Sequence, residues 1–176
     1  MDHQRQAIAV EIPRLRRYAR ALSGTDADAD DLVQETLTRA LTHVDQWTNG
    51  ENPRKWLFSI LHNHYVDLLR RTSRRPAHVS IDAGDFVPST LAADAGIRHD
   101  LDNGLQALSE DQRQVLLLVG LEGMSYAETA DLLDIPIGTV MSRLARGRER
   151  LRVLMACDIG ENDAPPTILT KLKRAP

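Results

Sequence analysis

Cysteine is almost missing from this sequence: Cys157 is the only one, so no disulfide can form within the chain and no thiolate-rich metal site can be built. Aromatic residues make up 4%, which leaves any core to Leu, Ile, Val and Ala, a mixture that favours helices. No apolar run approaches the roughly 20 residues that cross a bilayer. Met1 to Ile12 carry charges where a secretory leader needs an apolar stretch, so a cytoplasmic protein without membrane insertion is expected. Strand alternation is lacking, and Asn49-Gly50 lies between helical patterns and not between apolar strands. A glycine-rich phosphate loop, a G-x-S-x-G elbow and an H-E-x-x-H zinc motif are lacking too. His62 and His64 form an H-x-H pair, but on a helix they point about 200° apart with no third ligand nearby. No catalytic residue, metal site or cofactor is therefore expected, and the chain is not expected to be an enzyme.

What the sequence does have is charge in blocks. The 176 residues carry a net charge of −3, which on average argues against nucleic acid. The distribution argues otherwise. From Asp26 to Glu51 the only Lys or Arg is Arg39, set among Asp26, Asp28, Asp30, Asp31, Glu35, Asp45 and Glu51. From Arg54 to Arg75 the balance reverses, with Arg54, Lys55, Arg70, Arg71, Arg74 and Arg75 against Asp67. An acidic stretch follows from Asp82 to Asp111, and then a basic cluster of Arg143, Arg146, Arg148, Arg150 and Arg152.

Helical periodicity fills both ends of the chain, whereas the middle combines Pro76, Gly84, Pro88 and Gly96 with scattered Ser, Asp and Ala. The expected organisation is all-α: two small helical domains, 1–75 and 98–156, joined by a flexible linker at 76–97 and followed by a polar tail at 157–176. In the first domain, helices are predicted from about Gln4 to Leu22, from Ala27 to Val44 and, after a loop from Asp45 to Glu51, from Asn52 to Arg71. Asn52 would cap the third helix and Pro53 would take its first position. At 100° per residue Leu32, Val33, Leu37, Ala40, Leu41 and Val44 share one face of the second helix, opposite Asp31, Gln34, Glu35 and Thr38. On the third, Leu57, Ile60, Leu61, His64 and Leu68 cluster together, and Lys55, Ser59, His62, Asn63, Val66 and Arg70 project from the other side.

The second domain opens with a helix between Arg98 and Ala107. Ser109 and Gln112 have capping-box spacing ahead of a helix from Glu110 to Leu121, which Gly123 breaks. A second box, Ser125 with Glu128, opens a short helix ending near Leu133, and Asp134-Ile135-Pro136 makes a turn into a last helix from Ile137 to Met155. Helix, tight turn and basic helix form a helix-turn-helix arrangement. On the last helix Val140, Leu144 and Leu151 share one side, and Thr139, Ser142, Arg143, Arg146 and Arg150 line another about 120° away. Guanidinium groups and hydroxyls so placed suit base edges and phosphates in a major groove.

Two runs in the first half, Asp28-x-x-Asp31-Leu32-Val33-Gln34-Glu35 and Asn52-x-x-x-Trp56-Leu57-x-x-Ile60-x-x-Asn63-x-x-x-Asp67-x-x-Arg70-Arg71, resemble the region-two domain of extracytoplasmic-function (ECF) sigma factors. In the second half Leu108-Ser109-x-x-x-Arg113, Leu121-Glu122-Gly123-Met124-Ser125-Tyr126-Ala127-Glu128 and Ile135-Pro136-Ile137-Gly138-Thr139-Val140-x-Ser142-Arg143-Leu144-x-Arg146 resemble the region-four domain of the same family. The resemblance covers almost everything except linker and tail.

It implies that Asp31, Gln34, Glu35 and Thr38 dock on the β′ clamp helices of core RNA polymerase, with the β subunit as a further partner. It implies that the loop from Asp45 to Glu51, with Asn52, Lys55, Ser59, His62, Asn63, Arg70 and Arg71, engages the −10 element and holds unpaired bases. Thr139, Ser142, Arg143, Arg146 and Arg150 would read the −35 element as duplex. The family also implies an anti-sigma factor as a partner. The chain departs from the family pattern at Met141, where relatives often carry Arg or Lys, and at Ala145, where a larger side chain is frequent. The residues alone leave open a repressor or activator whose DNA module is 109–154, and, more distantly, a nucleic-acid-modifying enzyme without an evident catalytic constellation.

Overall fold

The computed structural model describes residues 2–47, 52–73 and 100–158. The expected linker, the tail beyond Asp158, the tip of the loop at 48–51 and the arginines at 74 and 75 lie outside the described residues. Among the described residues no strand occurs, as the all-α expectation requires. The elements are α1 (Asp2–Ser23), α2 (Asp26–Thr42), a 3-10 turn (Val44–Gln46), α3 (Pro53–Ser73), α4 (100–106), α5 (Glu110–Leu116), α6 (Tyr126–Leu133) and α7 (Ile137–Asp158). They fall into two compact units, one holding the described residues up to Ser73 and the other those from Asp100 onward.

In the first unit α1 stops where Gly24 takes φ 81° and returns its N–H to the Arg20 carbonyl at 3.0 Å. Thr25 then caps α2, accepting from the Asp28 N–H at 3.2 Å while its hydroxyl donates to Asp28 Oδ2 at 2.6 Å. Asp26 and Asp28 in the first turn complement the positive end of the helix. The helix ends at Thr42, short of the predicted Val44, because Val44 to Gln46 tighten into the 3-10 turn. Asn52 and Pro53 start α3 as expected, with Asn52 Oδ1 accepting from the Arg54 N–H at 3.1 Å. The α1, α2 and α3 helices pack on one another around Leu15, Tyr18, Leu22, Leu32, Val33, Leu57, Phe58 and Leu61, the Leu, Val and Phe side chains each contributing about 1.5–3 kcal/mol on burial.

The predicted faces need two corrections. On α2, Leu32, Val33 and Ala40 are buried, but Leu41 is 49% exposed and Thr36 takes a core position instead. Thr36 can do so because its hydroxyl donates to the Leu32 carbonyl at 2.7 Å, leaving only its methyl to pack. On α3, Leu57, Leu61 and His64 are buried with Phe58 and Tyr65, while Leu68 is not: every residue from Leu68 to Thr72 is exposed.

In the second unit Ser109 occupies the N-cap of α5, but the expected box with Gln112 does not form. Gln112 packs instead beside Gly147 of α7. Past Leu116 the helix widens into a π-helical turn, Leu117–Leu121, with the Glu122 N–H reaching back to the Leu117 carbonyl at 3.0 Å, and it breaks at Gly123, φ 66°. The second box is complete: Ser125 Oγ accepts from the Glu128 N–H at 3.2 Å, and Glu128 Oε2 from the Ser125 N–H at 2.9 Å. Asp134 closes α6 in the left-handed region at φ 52°, and the Ile135 N–H returns to the Ala130 carbonyl at 3.1 Å. Pro136 then hands the chain to α7, its carbonyl accepting from Thr139 and Val140. Val140, Leu144, Leu151 and Met155 bury one side of α7 against α5 and α6 with Val115 and Leu118.

Candidate functional site

On α2 the residues opposite the core are Asp31, Gln34 and Thr38, all exposed, and Glu35, half-buried. Glu35 is not independent. Its Oε1 accepts from Arg39 Nε at 2.8 Å, and this hydrogen bond holds the carboxyl below its ordinary range. Beside the pair lies His64 of α3, 9% exposed, whose imidazole is pushed below its usual pKa first by burial and next by Arg39, against a smaller opposing pull from Glu35. The polar face of α2 is thus anchored at one edge by a Glu–Arg pair with a buried histidine behind it.

Of the α3 residues assigned to nucleic acid, Lys55, Ser59, His62, Asn63 and Arg70 share one side of the helix, whereas Arg71 falls toward His64, whose imidazole it influences. Asn63, Arg70 and Arg71 are exposed; Lys55, Ser59 and His62 are half-buried. Asn52 is exposed but its amide oxygen is engaged in capping. The Ser59 hydroxyl donates to the Trp56 carbonyl at 2.7 Å, and Arg70 lies 4.0 Å from Asp67. The segment from Asp45 onward, expected as a plain loop, has structure at its start. It starts with the 3-10 turn and with Trp47, which is buried and stacks on Trp56 at 5.9 Å and 14° between planes. Gln4 of α1 reinforces the turn by donating to the Val44 carbonyl at 3.4 Å. Two tryptophans nine positions apart across a turn were the available signal.

On α7, Thr139 and Ser142 are half-buried and Arg146 and Arg150 exposed. Arg146 lies along its own helix, Nε donating to the Ser142 carbonyl at 3.2 Å and Nη2 to Ser142 Oγ at 3.3 Å. Arg143 differs. Its guanidinium turns to α5 and pairs with Asp111 at 2.7 Å, leaving the side chain 26% exposed. The predicted groove-facing set is therefore split between residues held at the surface and one that ties α7 to α5. A further residue to which no role was assigned, Arg113, is buried and hydrogen-bonded to Gln106 and Glu110, and so links α4 to α5. Among the described residues no cluster of His, Cys, Asp and Glu could hold a metal ion, and no helix is long and apolar enough to cross a membrane.

Residues 8–62 match the family described as the Sigma2 domain of PhyR, and residues 98–151 match Sigma-70, region 4. A sigma-2 domain followed by a region-4 helix-turn-helix defines a class of transcription regulators, the sigma factors. The chain is 38% identical over 169 residues to the ECF RNA polymerase sigma factor EcfG of Rhodopseudomonas palustris, covering 93% of this chain and 91% of that one. It is 34% identical to the ECF RNA polymerase sigma factor SigE of Mycolicibacterium smegmatis, covering 81% of this chain and 58% of that one. The chain belongs to the family of ECF RNA polymerase sigma factors. Its fold is similar to that of the sigma factor RpoE solved with the anti-sigma factor NepR from Bartonella quintana, with a TM-score of 0.73, 32% identity, and coverage of 90% of this chain and 100% of that one. It is also similar to CnrH solved with the cytosolic domain of CnrY, with a TM-score of 0.67, 28% identity, and 89% of each chain covered.

Proposed function

We propose that this protein binds core RNA polymerase, directs it to promoters through −10 and −35 elements, and promotes the melting that starts transcription. The observation that carries this reading is the order of parts on one chain: a three-helix unit with an exposed polar α2 face, then a helix-turn-helix unit with Ser142 and Arg146 held at the surface of α7. A repressor needs only the second. In this reading Asp31, Gln34, Glu35 and Thr38 meet the β′ clamp helices. The side of α3 carrying Lys55, Ser59, His62, Asn63 and Arg70, with Asn52 and Arg71 at its ends, faces unpaired −10 bases. Thr139, Ser142, Arg146 and Arg150 meet −35 duplex, with Arg143 bracing the helix. Unstacking a base opposes melting by a few kcal/mol, which stacking on an aromatic or a guanidinium and contact with phosphates offset.

The similarity to a sigma factor solved with NepR supports control by an anti-sigma factor that covers one or both units. The cytoplasm is the compartment this activity requires. The test is reconstitution: purified chain, core polymerase and a promoter fragment, read as run-off transcript and as gel-filtration co-elution with core. Specific transcript that requires the chain is expected. DNA binding unaffected by core, with no transcript, would make it a repressor or activator instead.

A further inference from the structure

The exposed surface of α7 is of two kinds. At 100° per residue Ile137, Met141, Ala145 and Gly138 fall within about 100° of arc, and Ser142, Arg146 and Thr139 occupy roughly the next 60°. Every member of the first set is exposed, Ile137 by 47% and Met141 by 48%. Val140, Leu144 and Leu151, all buried, form the packing side, which the strip adjoins at Ile137, about 20° from Leu144, and leaves behind at Met141, about 60° from it. From Met141 through Ala145 and Gly138 the exposed arc runs on to Ser142, about 100° from Met141.

We infer that Met141, flanked by Ala145, determines specificity by packing on the C5 methyl of a thymine in the −35 element, an inference that rests on the −35 reading of α7. In the major groove a thymine presents one acceptor and one methyl, and only an apolar contact uses the methyl. The polar strip supplies the complementary chemistry, since Arg146 can address guanine acceptors or phosphate and Ser142 can donate or accept. A cationic side chain at 141 would favour guanine or phosphate; methionine cannot bond either. Its unbranched thioether bends to fit a methyl whose exact position varies with DNA geometry. Ala145, one turn on, adds a small apolar surface without crowding that contact.

The test uses holoenzyme assembled from the full chain and core polymerase. Selection from duplexes randomised at −35 defines the preferred element, and each thymine in it is then replaced by deoxyuridine, which removes the methyl and preserves pairing. One such replacement is expected to weaken binding about fourfold, the effect of withdrawing one methyl group from an apolar contact. In Met141→Ser that loss should vanish, and its affinity should fall by the same factor on the thymine duplex only. An element without thymine, uracil replacements that are silent throughout, or a methyl effect undiminished in Met141→Ser would each overturn the assignment. Arg146→Ala run in parallel separates the two levels. If it loses base preference while the methyl effect is absent, only the role of Met141 falls; if it leaves affinity and preference unchanged, the −35 reading of α7 falls and takes Met141 with it.

Discussion

Two glycines in the second unit should respond in opposite directions to the same substitution. Gly147 lies in the middle of α7, and a Cβ there would sit 3.4 Å from Gln112 Cβ, 3.5 Å from the Gln112 carbonyl oxygen and 3.5 Å from Leu116 Cδ1, all ordinary contact distances. Gly147→Ala therefore keeps the close approach of α5 and α7 and gains the helix propensity of alanine, about 1 kcal/mol. For a unit of this size that corresponds to a rise of roughly 4–8 °C in midpoint. Gly104 in α4 offers the same propensity gain, but its Cβ would lie 2.8 Å from Leu151 Cδ1. Leu151 is fully buried, so its side chain can make room only by moving against the core around it. Overpacking of about 1–3 kcal/mol then exceeds the gain, and Gly104→Ala should lower the midpoint. Thermal unfolding of the full chain followed by circular dichroism measures both. DNA affinity of Gly147→Ala should stay unchanged, because that position faces α5. A midpoint that falls in Gly147→Ala, or rises in Gly104→Ala, would refute the packing argument for this unit.

Arg143→Ala should remove the Asp111 ion pair and lower stability by about 0.2–1 kcal/mol, discounted because Asp111 is well exposed, and Asp111→Ala should match it without additivity in the double mutant. Arg146→Ala should instead spare stability and weaken −35 binding by roughly 1–3 kcal/mol if it contacts a base; equal DNA effects from both arginines would contradict the division between bracing and reading. Asp31→Ala with Gln34→Ala should reduce co-elution with core polymerase at unchanged midpoint, and intact binding would remove α2 from the docking surface. His64 gives a pH dependence. Its pKa is depressed from 6.5 by burial and by Arg39, against Glu35 and Asp67, while Arg71 adds to the depression. The unfolded chain therefore takes up a proton that the folded chain resists, and stability present above pH 6.5 should be lost as pH falls toward the folded pKa. Denaturant titrations of His64→Leu should show a flatter acid limb, and an unchanged limb would exclude this histidine as its source.

Helix starts marked by local chemistry were legible in the sequence. Asn52-Pro53 and Ser125-x-x-Glu128 signal their caps within four residues, and both form. Ser109-x-x-Gln112 has the same spacing and does not form its box, since Gln112 is drawn to the interface with Gly147, a tertiary partner that spacing does not reveal. The π-helical turn at Leu117–Leu121 was invisible for a similar reason: Leu, Val and Gly there suit an α-helix equally well. Periodicity placed the apolar faces to within about one residue's arc, but Thr36 entered the core by satisfying its own hydroxyl, and Leu41 was left out of it. For the candidate site, periodicity identified which side of α2, α3 and α7 turns from the core. It could not separate Arg143 from Arg146, because the difference is an acid on another helix, Asp111.

The stacked pair Trp47 and Trp56 has a practical consequence. They are the only tryptophans in the chain, and both belong to the first unit, on either side of residues 48–51. Tryptophan emission from the unlabelled protein therefore originates in that unit alone. Adding single-stranded oligonucleotide to the chain should alter the emission if bases lodge beside the turn. Adding −35 duplex should leave the emission unchanged, so the signal would separate binding of unpaired DNA beside the turn from binding of duplex on α7 without a dye.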